Sequence, residues 1–375
     1  MNSSKEYERL SIIRLHLIPE IGPRRFSNIL ERFGTAAAAV TADAGELASV
    51  EDISQQLAKK IFCSRTLDDA EKELERADKS GASVITCADD AYPRALKEIQ
   101  GCPPVIYVKG ELTAEDEFSV AVVGTRHPTS YGASAAASMA RELAGLGLSV
   151  VSGLARGIDT EAHTAALAAK GRTIAVLGNG LNRHYPPENR KLEEKIAASG
   201  ALVSEFRMDQ DPDKGNFPRR NRLISGLSLA TLVVEAGEKS GALITAKYAL
   251  EQGKDVFAVP GPVFSKYSKG PHLLIKQGAK LTESAGDIVE ELAPLLRKLR
   301  SASPKPPAAD ESPAVLEGAE KNILELVEAE YNGVSADRIS SMLKAEPAEV
   351  FSGLTTLEIK GLIRCLPGKV YIRNR

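Results

Sequence analysis

Residues 119–124 read SVAVVG, and five comparable runs follow: LSVVSG (148–153), TIAVLG (173–178), ALVSE (201–205), ATLVVEA (230–236) and DVFAVPG (255–261). Each is short and apolar, most are rich in β-branched residues, and longer helical stretches separate them. A strand covered on both faces reads as a continuous apolar run, whereas a half-exposed strand alternates. Six such runs with intervening helices predict an α/β core, a mostly parallel sheet with helices on both sides. This core is expected over 81–297, entered through two extended pieces, ASVITC and VIYVKG. Residues 1–80 read instead as a helical domain. The stretch 298–317, KLRSASPKPPAADESPAVLE, has the Pro, Ser and Ala content of a flexible linker. It sets off a C-terminal module at 318–375.

The whole chain has 375 residues, enough for two or three domains of about 100 to 200 residues each. With 43% hydrophobic and 26% charged residues, disorder is excluded as the dominant state. No apolar run approaches the ~20 residues that span a bilayer, and the N-terminus lacks a basic segment followed by an apolar one. A cytoplasmic protein without membrane contact is therefore expected. Cys63, Cys87, Cys102 and Cys365 lie far apart and form no C-x-x-C, which argues against a zinc site or a disulfide framework.

Net charge is −2, from 48 Lys+Arg against 50 Asp+Glu. That near-balance is an average. Residues 118–282 carry 21 basic and 14 acidic side chains, or +7, which leaves −9 for the remainder. The α/β core is basic and its flanks are acidic, so a polyanionic partner of the core stays open.

In a parallel α/β sheet, ligands bind beyond the carboxyl ends of the strands, where loops enter helix N-termini. The first such loop is Gly124-Thr125-Arg126, running to Ser130 and an Ala-rich helix. Glycine permits close approach and the helix start offers N–H groups to an anion, so this reads as a phosphate cradle. Neither G-x-G-x-x-G nor G-x-x-x-x-G-K-[ST] occurs there, so neither NAD nor ATP is indicated and no cofactor is expected. The second loop holds Gly153, Arg156 and Gly157, followed by Glu161 and His163. A third, Gly178-Asn179-Gly180, leads to Arg183 and His184. Phe217 with Arg219, Arg220, Asn221 and Arg222 opens the helix LISGLS, and Lys239-Ser240-Gly241 precedes another helix. Arg forks match phosphate oxygens, and an aromatic face can stack a base. The plainer alternative for the three arginines is a solvated helix start paired with Asp209, Asp211 and Asp213. His163 and His184 read as structural histidines. Convergence of these loops on one rim favours a groove for a long anion.

Taken in order, VVGTRHPTSYG, VSGLARGIDTEAH, LGNGLNRHYPPEN, SEF, FPRRNRLISGLS, LVVEAGEKSGALITAKYALEQG, VFAVPGPV and GPHLLIKQGA resemble the bacterial DNA-processing protein A family (DprA, also called Smf). The resemblance covers residues 82 to 282. It implies a Rossmann-like α/β core in a non-enzymatic single-stranded DNA-binding protein that protects incoming DNA and loads the RecA recombinase onto it in natural transformation. It further implies a homodimer, with single-strand-binding protein as an additional partner. Gly124, Thr125, Arg126, Phe217, Arg220, Asn221, Arg222, Lys239, Ser240 and Gly241 map onto the family's strand-binding elements. Asn182 and His272 depart from it, standing where an acidic residue and an Asn are common.

The flanks carry their own signals. Leu17-Ile18-Pro19-Glu20-Ile21-Gly22-Pro23-Arg24-Arg25 resembles a helix-hairpin-helix within a sterile-alpha-motif-like bundle, as a phosphate contact or as a packing hairpin. From Gly318, three helical patterns and a β-hairpin spell a winged helix. Residues 318–375 hold eight basic and eight acidic side chains, which points to protein contact or modest auxiliary DNA contact there.

The rival reading is an enzyme, a phosphoribohydrolase-like hydrolase of nucleotide N-glycosidic bonds. Such relatives place P-G-G-x-G-T-x-x-E after the corresponding strand. Here that place has Lys239 inside the turn and no carboxylate after Thr245 until Glu251.

Overall fold

The computed structural model describes residues 2–64, 67–302, 319–329, 333–360, 362–366 and 370–373. Six helices come first: α1 (Asn2–His16), α2 (Pro23–Phe33), α3 (Ala36–Thr41), α4 (Ala44–Ala48), α5 (Gln55–Cys63) and α6 (Asp68–Lys79). Their starts follow local chemistry. Thr35, Asp43 and Ser54 cap α3, α4 and α5 with side-chain oxygens, and Asp43 and Glu46 form a reciprocal capping box.

The chain then enters the sheet through β1 (Ala82–Thr86), α7 (Arg94–Lys97) and β2 (Val105–Gly110). Alternation follows: β3 (Ser119–Val123), α8 (Ser130–Gly145), β4 (Ser149–Ser152), α9 (Ile158–Ala168), β5 (Thr173–Leu177), α10 (Arg190–Ser199), β6 (Ala201–Ser204), α11 (Asn216–Leu227), β7 (Ala230–Val233), α12 (Gly241–Glu251), β8 (Asp255–Ala258), α13 (Lys269–Lys276) and β9 (Lys280–Leu281). Spatial order is β1-β2-β6-β5-β4-β3-β7-β8-β9. All pairs from β6 to β9 are parallel, while β1–β2 and β2–β6 are antiparallel. Every residue of β3 to β7 is buried, so the apolar runs read as strands with both faces covered. From β3 the chain winds outward through β4, β5 and β6, then returns to β7 on the other side of β3. The order therefore reverses between β3 and β7.

No packing break separates the first eighty residues from the sheet. Ile13, Phe26 and Ile61 share one buried cluster with Val84, Tyr107, Ala175 and Leu177. Between these layers His16 packs on Tyr107 with ring centroids 6.0 Å apart, and buried Glu73 of α6 accepts the Met208 N–H at 2.8 Å. The compact unit containing both runs over Met1–Ile288.

A second unit covers Val289–Arg375. Helix α14 (Ala285–Ala302) crosses the boundary, so residues 298–302 of the expected linker are helical, and 303–317 lie outside the described residues. Next come α15 (Ala319–Ala329), β10 (Val334–Ser335), α16 (Ala336–Leu343), α17 (Pro347–Ile359), β11 (Ile363–Leu366) and β12 (Val370–Arg373). The strands order β10-β12-β11, and the apolar sides of α15, α16 and α17 close over them through Ile323, Ile339 and Leu354. This is a winged helix. Residues 367–369, read as the turn of its hairpin, lie outside the described residues.

Candidate nucleic-acid interface

The loops after β3, β4 and β5 and the start of α11 meet in one cleft at the carboxyl end of the sheet. It is lined by Arg126, Gly153, Ala155, Arg156, Gly178, Asn179, Tyr185, Pro186, Phe217 and Arg220. Missing side chains let these parts come together. A Cβ on Gly153 would stand 2.6 Å from Arg220 Nη2, and one on Gly178 would stand 2.7 Å from the Phe217 ring. Gly157 has φ +77, and a Cβ there would lie 2.4 Å from the Thr125 carbonyl. Gly124 packs against Ile158, which holds the Arg126 loop to the start of α9.

Arg220 is 4% exposed. Its guanidinium donates to the Gly153 carbonyl at 2.8 Å, to the Val176 carbonyl and to Asn221 Oδ1 at 3.2 Å. Burial lowers its pKa to about 10, with Asp159 acting the other way, so it remains charged at neutral pH. Asp159 is fully buried and accepts the Gly153 and Ala155 N–H groups at 3.1 and 3.3 Å. Burial raises its pKa to about 6, against the pull of Arg220.

Above this buried layer sits the Phe217 ring. Tyr185 lies 5.3 Å away by centroids, and the Arg126 and Arg220 guanidiniums are 5.5 and 5.9 Å from the ring centroid. Phe217 was expected to offer a face to a base. Its ring also holds the exposed Arg126 guanidinium, which can itself stack on a base or bind a phosphate.

Three expectations need correction. The cradle at the start of α8 is already filled by a carboxylate of the protein. Glu235, 3% exposed, accepts from Thr129 N–H at 2.9 Å and from Thr129 Oγ1 at 2.6 Å, while the Gly132 N–H goes to Thr129 Oγ1. Thr125, buried, gives its N–H to the Glu235 carbonyl at 2.6 Å. An internal anion thus occupies the place at the β3/β7 reversal where this fold ordinarily receives a phosphate. Second, Arg222 does not face the rim. It is 7% exposed and bonds Glu205 Oε2 at 2.7 Å, with Arg219 reaching the same oxygen at 3.3 Å. Helix α11 runs inward, burying Arg220 to Leu227, and the buried Glu205 needs a cation. Nor do the arginines pair with Asp209, Asp211 or Asp213 as the plainer alternative had it. Asp211 instead pairs with Arg183 at 2.9 Å. Third, the exposed Arg156 is matched by Glu188, which offsets its charge.

Lys239 is exposed in the turn that precedes α12. Ser240 caps that helix through the Ala242 N–H at 3.3 Å, and Asn221 donates to the Gly241 carbonyl at 3.2 Å, tying the turn to α11. Sequence reasoning passed over Tyr185, Pro186 and Asn179 as site residues. The aromatic-proline pair closing the third Gly-rich loop was the available signal.

Neither histidine reading changes. His163 is buried with Nδ1 2.7 Å from Thr173 Oγ1, and burial holds its pKa at about 3. His184 meets Glu193 at 2.5 Å. Glu251 pairs with Lys247 at the far end of α12. Of the described residues, no carboxylate, histidine or cysteine lines the cleft, and no cluster of three His, Cys, Asp or Glu is placed to hold a metal.

The two family departures have local partners. Asn182 accepts from Ser80 Oγ at 2.7 Å and donates to Asp209 at 2.9 Å, and His272 Nε2 lies 3.1 Å from the Gly261 carbonyl. In the N-terminal hairpin, Arg24 meets Glu51 and Asp52 at 3.2 and 3.1 Å, and Arg25 donates to the Glu20 and Asp52 carbonyls. The Arg24 pairs are largely solvent-exposed. In the winged helix, Lys360 at the end of α17 pairs with Glu320 at 2.5 Å, and Arg373 with Glu328 at 3.1 Å.

The family model for DNA recombination-mediator protein A matches residues 83–293. The chain belongs to this family. Models for the DprA winged helix domain and the DprA-like N-terminal HHH domain match 304–369 and 6–47. Protein Smf of Synechocystis is 37% identical, covering 94% of this chain and 96% of its own length. DNA processing protein DprA of Bacillus subtilis is 46% identical over 57% of this chain and 72% of its own. Among solved structures, DprA of Streptococcus pneumoniae superposes with TM-score 0.67 and 34% identity over 76% of this chain and 97% of that one. DNA processing protein A of Helicobacter pylori, whose single-stranded DNA binding mode has been described, superposes with TM-score 0.52 and 31% identity over 57% of this chain and 96% of that one. The fold here is thus the DprA arrangement, with an N-terminal helical HHH domain, a mostly parallel α/β core and a C-terminal winged helix. No helix among the described residues is long and apolar enough to cross a membrane.

Proposed function

We propose that this chain binds single-stranded DNA along the strand-end rim, protects it and mediates loading of RecA. The observation that carries this reading is the Arg126 guanidinium, held exposed over Phe217 at the mouth of a cleft free of carboxylates. Arg126 and Lys239 contact phosphates, with Arg220 and Asn221 fixing the loops that present them. Backbone charge and stacking carry little base information, so binding is largely sequence-blind and strongly salt-dependent. The H. pylori relative's single-stranded DNA binding supports the same ligand here. The protein acts as a homodimer without catalysis, in the cytoplasm, with RecA and single-strand-binding protein as partners during transformation and homologous recombination. Domain limits at 80, 297 and 317 complete the proposal, with the winged helix contacting protein.

Fluorescence anisotropy with labelled oligo-dT at several salt concentrations tests it. Tight binding that weakens steeply with salt, and is lost on combining Arg126→Ala with Lys239→Ala, is the expected result. Binding that the double variant leaves intact removes the site. RecA filament growth on oligo-dT coated with single-strand-binding protein, with and without this protein, tests the mediator role separately.

A further inference from the structure

The loop after β8 holds an apolar tip that the cleft does not use. Ser265 N–H donates to the Pro262 carbonyl at 3.0 Å, which closes a β-turn whose two central residues are Val263 and Phe264. Central turn positions usually go to Gly, Asn, Asp, Ser or Pro, for reasons of backbone freedom and local hydrogen bonding. Here they hold side chains 66% and 99% exposed. Nothing in the turn's own geometry calls for a phenyl group in solvent.

The turn is braced from several sides. Tyr131 Oη donates to the Pro260 carbonyl at 2.6 Å, His272 Nε2 sits 3.1 Å from the Gly261 carbonyl, and the Tyr267 carbonyl accepts the Ala236 N–H at 2.8 Å. That last bond joins the loop to the turn carrying Lys239. Charge around the tip is mainly basic, with Lys239, Lys266 and Lys269 against Glu238 of the same turn and Glu283 near Tyr131. Strand order β5-β4-β3-β7-β8 sets the loops in a row, so the cleft, Lys239 and Phe264 follow one another along the rim. Four strand steps of about 4.8 Å give a track of roughly 19 Å, longer than one nucleotide.

We infer that Phe264 is a second stacking station, taking a base of single-stranded DNA whose backbone continues from the cleft past Lys239 to Lys266. This rests on the single-stranded DNA reading above and extends its site. Stacking on an aromatic ring is sequence-tolerant, and flanking lysines hold the phosphates on either side.

The chain has no tryptophan, so Phe264→Trp places a single indole reporter at the tip. Titrating that full-length variant with oligo-dT is expected to change its tryptophan emission in step with binding followed by anisotropy. Phe264→Ala, with an unchanged thermal transition, is expected to weaken binding of long oligo-dT roughly 5- to 150-fold, the range a lost stacked base gives. Oligonucleotides too short to leave the cleft bind both proteins alike. If wild type binds oligo-dT while the indole signal stays flat and Phe264→Ala binds equally well, the station is overturned and the cleft reading stands. If wild type does not bind, both fail. Emission that shifts with protein concentration in the absence of DNA assigns the tip to a second copy and overturns the inference.

Discussion

The Arg220 guanidinium occupies the space that a side chain on residue 153 would fill, 2.8 Å from the Gly153 carbonyl. Arg220 also serves the Val176 carbonyl, so one buried cation joins the ends of β4 and β5. Gly153→Ala should displace it and leave buried carbonyls without a donor, at about 1–3 kcal/mol each. Urea denaturation at neutral pH is the measurement. A loss below about 0.5 kcal/mol, ordinary for surface changes, contradicts this account.

The Glu235 carboxylate stands in for an external anion at the start of α8. Removing it by Glu235→Ala frees the Thr129 N–H and hydroxyl, which hydrogen exchange should register as lost protection at Thr129. The emptied cradle should then accept inorganic phosphate, raising the melting temperature of the variant while wild type stays unmoved. Equal phosphate response in both proteins argues that the cradle was never closed.

Arg126 and Arg222 should separate binding from stability. Arg126→Ala removes an exposed cation, so stability shifts by less than about 0.5 kcal/mol, and the salt dependence of oligo-dT binding falls by roughly one unit of slope. Arg222→Ala leaves buried Glu205 with only the longer Arg219 contact, at a cost of about 3 kcal/mol. Anisotropy and urea melts on the same two preparations decide it, and equal stability of the two variants counts against the burial argument.

His163 gives the fold an acid-sensitive limb. Its pKa, lowered by burial from 6.5 to about 3, keeps it neutral in the folded chain. Below pH 6.5 the unfolded chain takes up a proton that the folded one refuses, so stability is lost progressively until about pH 3. Between pH 6.5 and 5 this amounts to about 2 kcal/mol. His16 acts in the same sense, while Asp159, raised to about 6, gains its proton first in the folded state and acts oppositely. Comparing wild type with His163→Asn at pH 7 and pH 5 cancels those shared contributions. The variant should lose about 2 kcal/mol less, and parallel curves exclude a buried neutral imidazole.

The parallel core was legible because each buried strand has to be apolar throughout, and the glycines marked where loops approach closely. Arg126 was legible for the same reason, since it follows a strand end and a glycine. Arg222 was misread because linear spacing shows cations but not helix direction. Three arginines look alike in FPRRNR, yet α11 leaves Arg219 half-exposed beside Glu205, sets Arg220 beneath the cleft and buries Arg222 against the same Glu205. The blocked cradle was hidden for a related reason, because Glu235 lies 106 residues from Thr129 in sequence. Only the return of β7 beside β3 makes them neighbours.

Helix α11 belongs to two surfaces at once, with Phe217 and Arg220 lining the cleft and Asn221 to Leu227 buried beneath it. Mutational drift in this segment is therefore judged twice, for ligand capture and for chain survival. Few sequences pass both, so α11 should be the slowest part of the chain to diverge. A screen for altered binding would gain more by randomising Val263 and Phe264 alone, whose side chains stand in solvent.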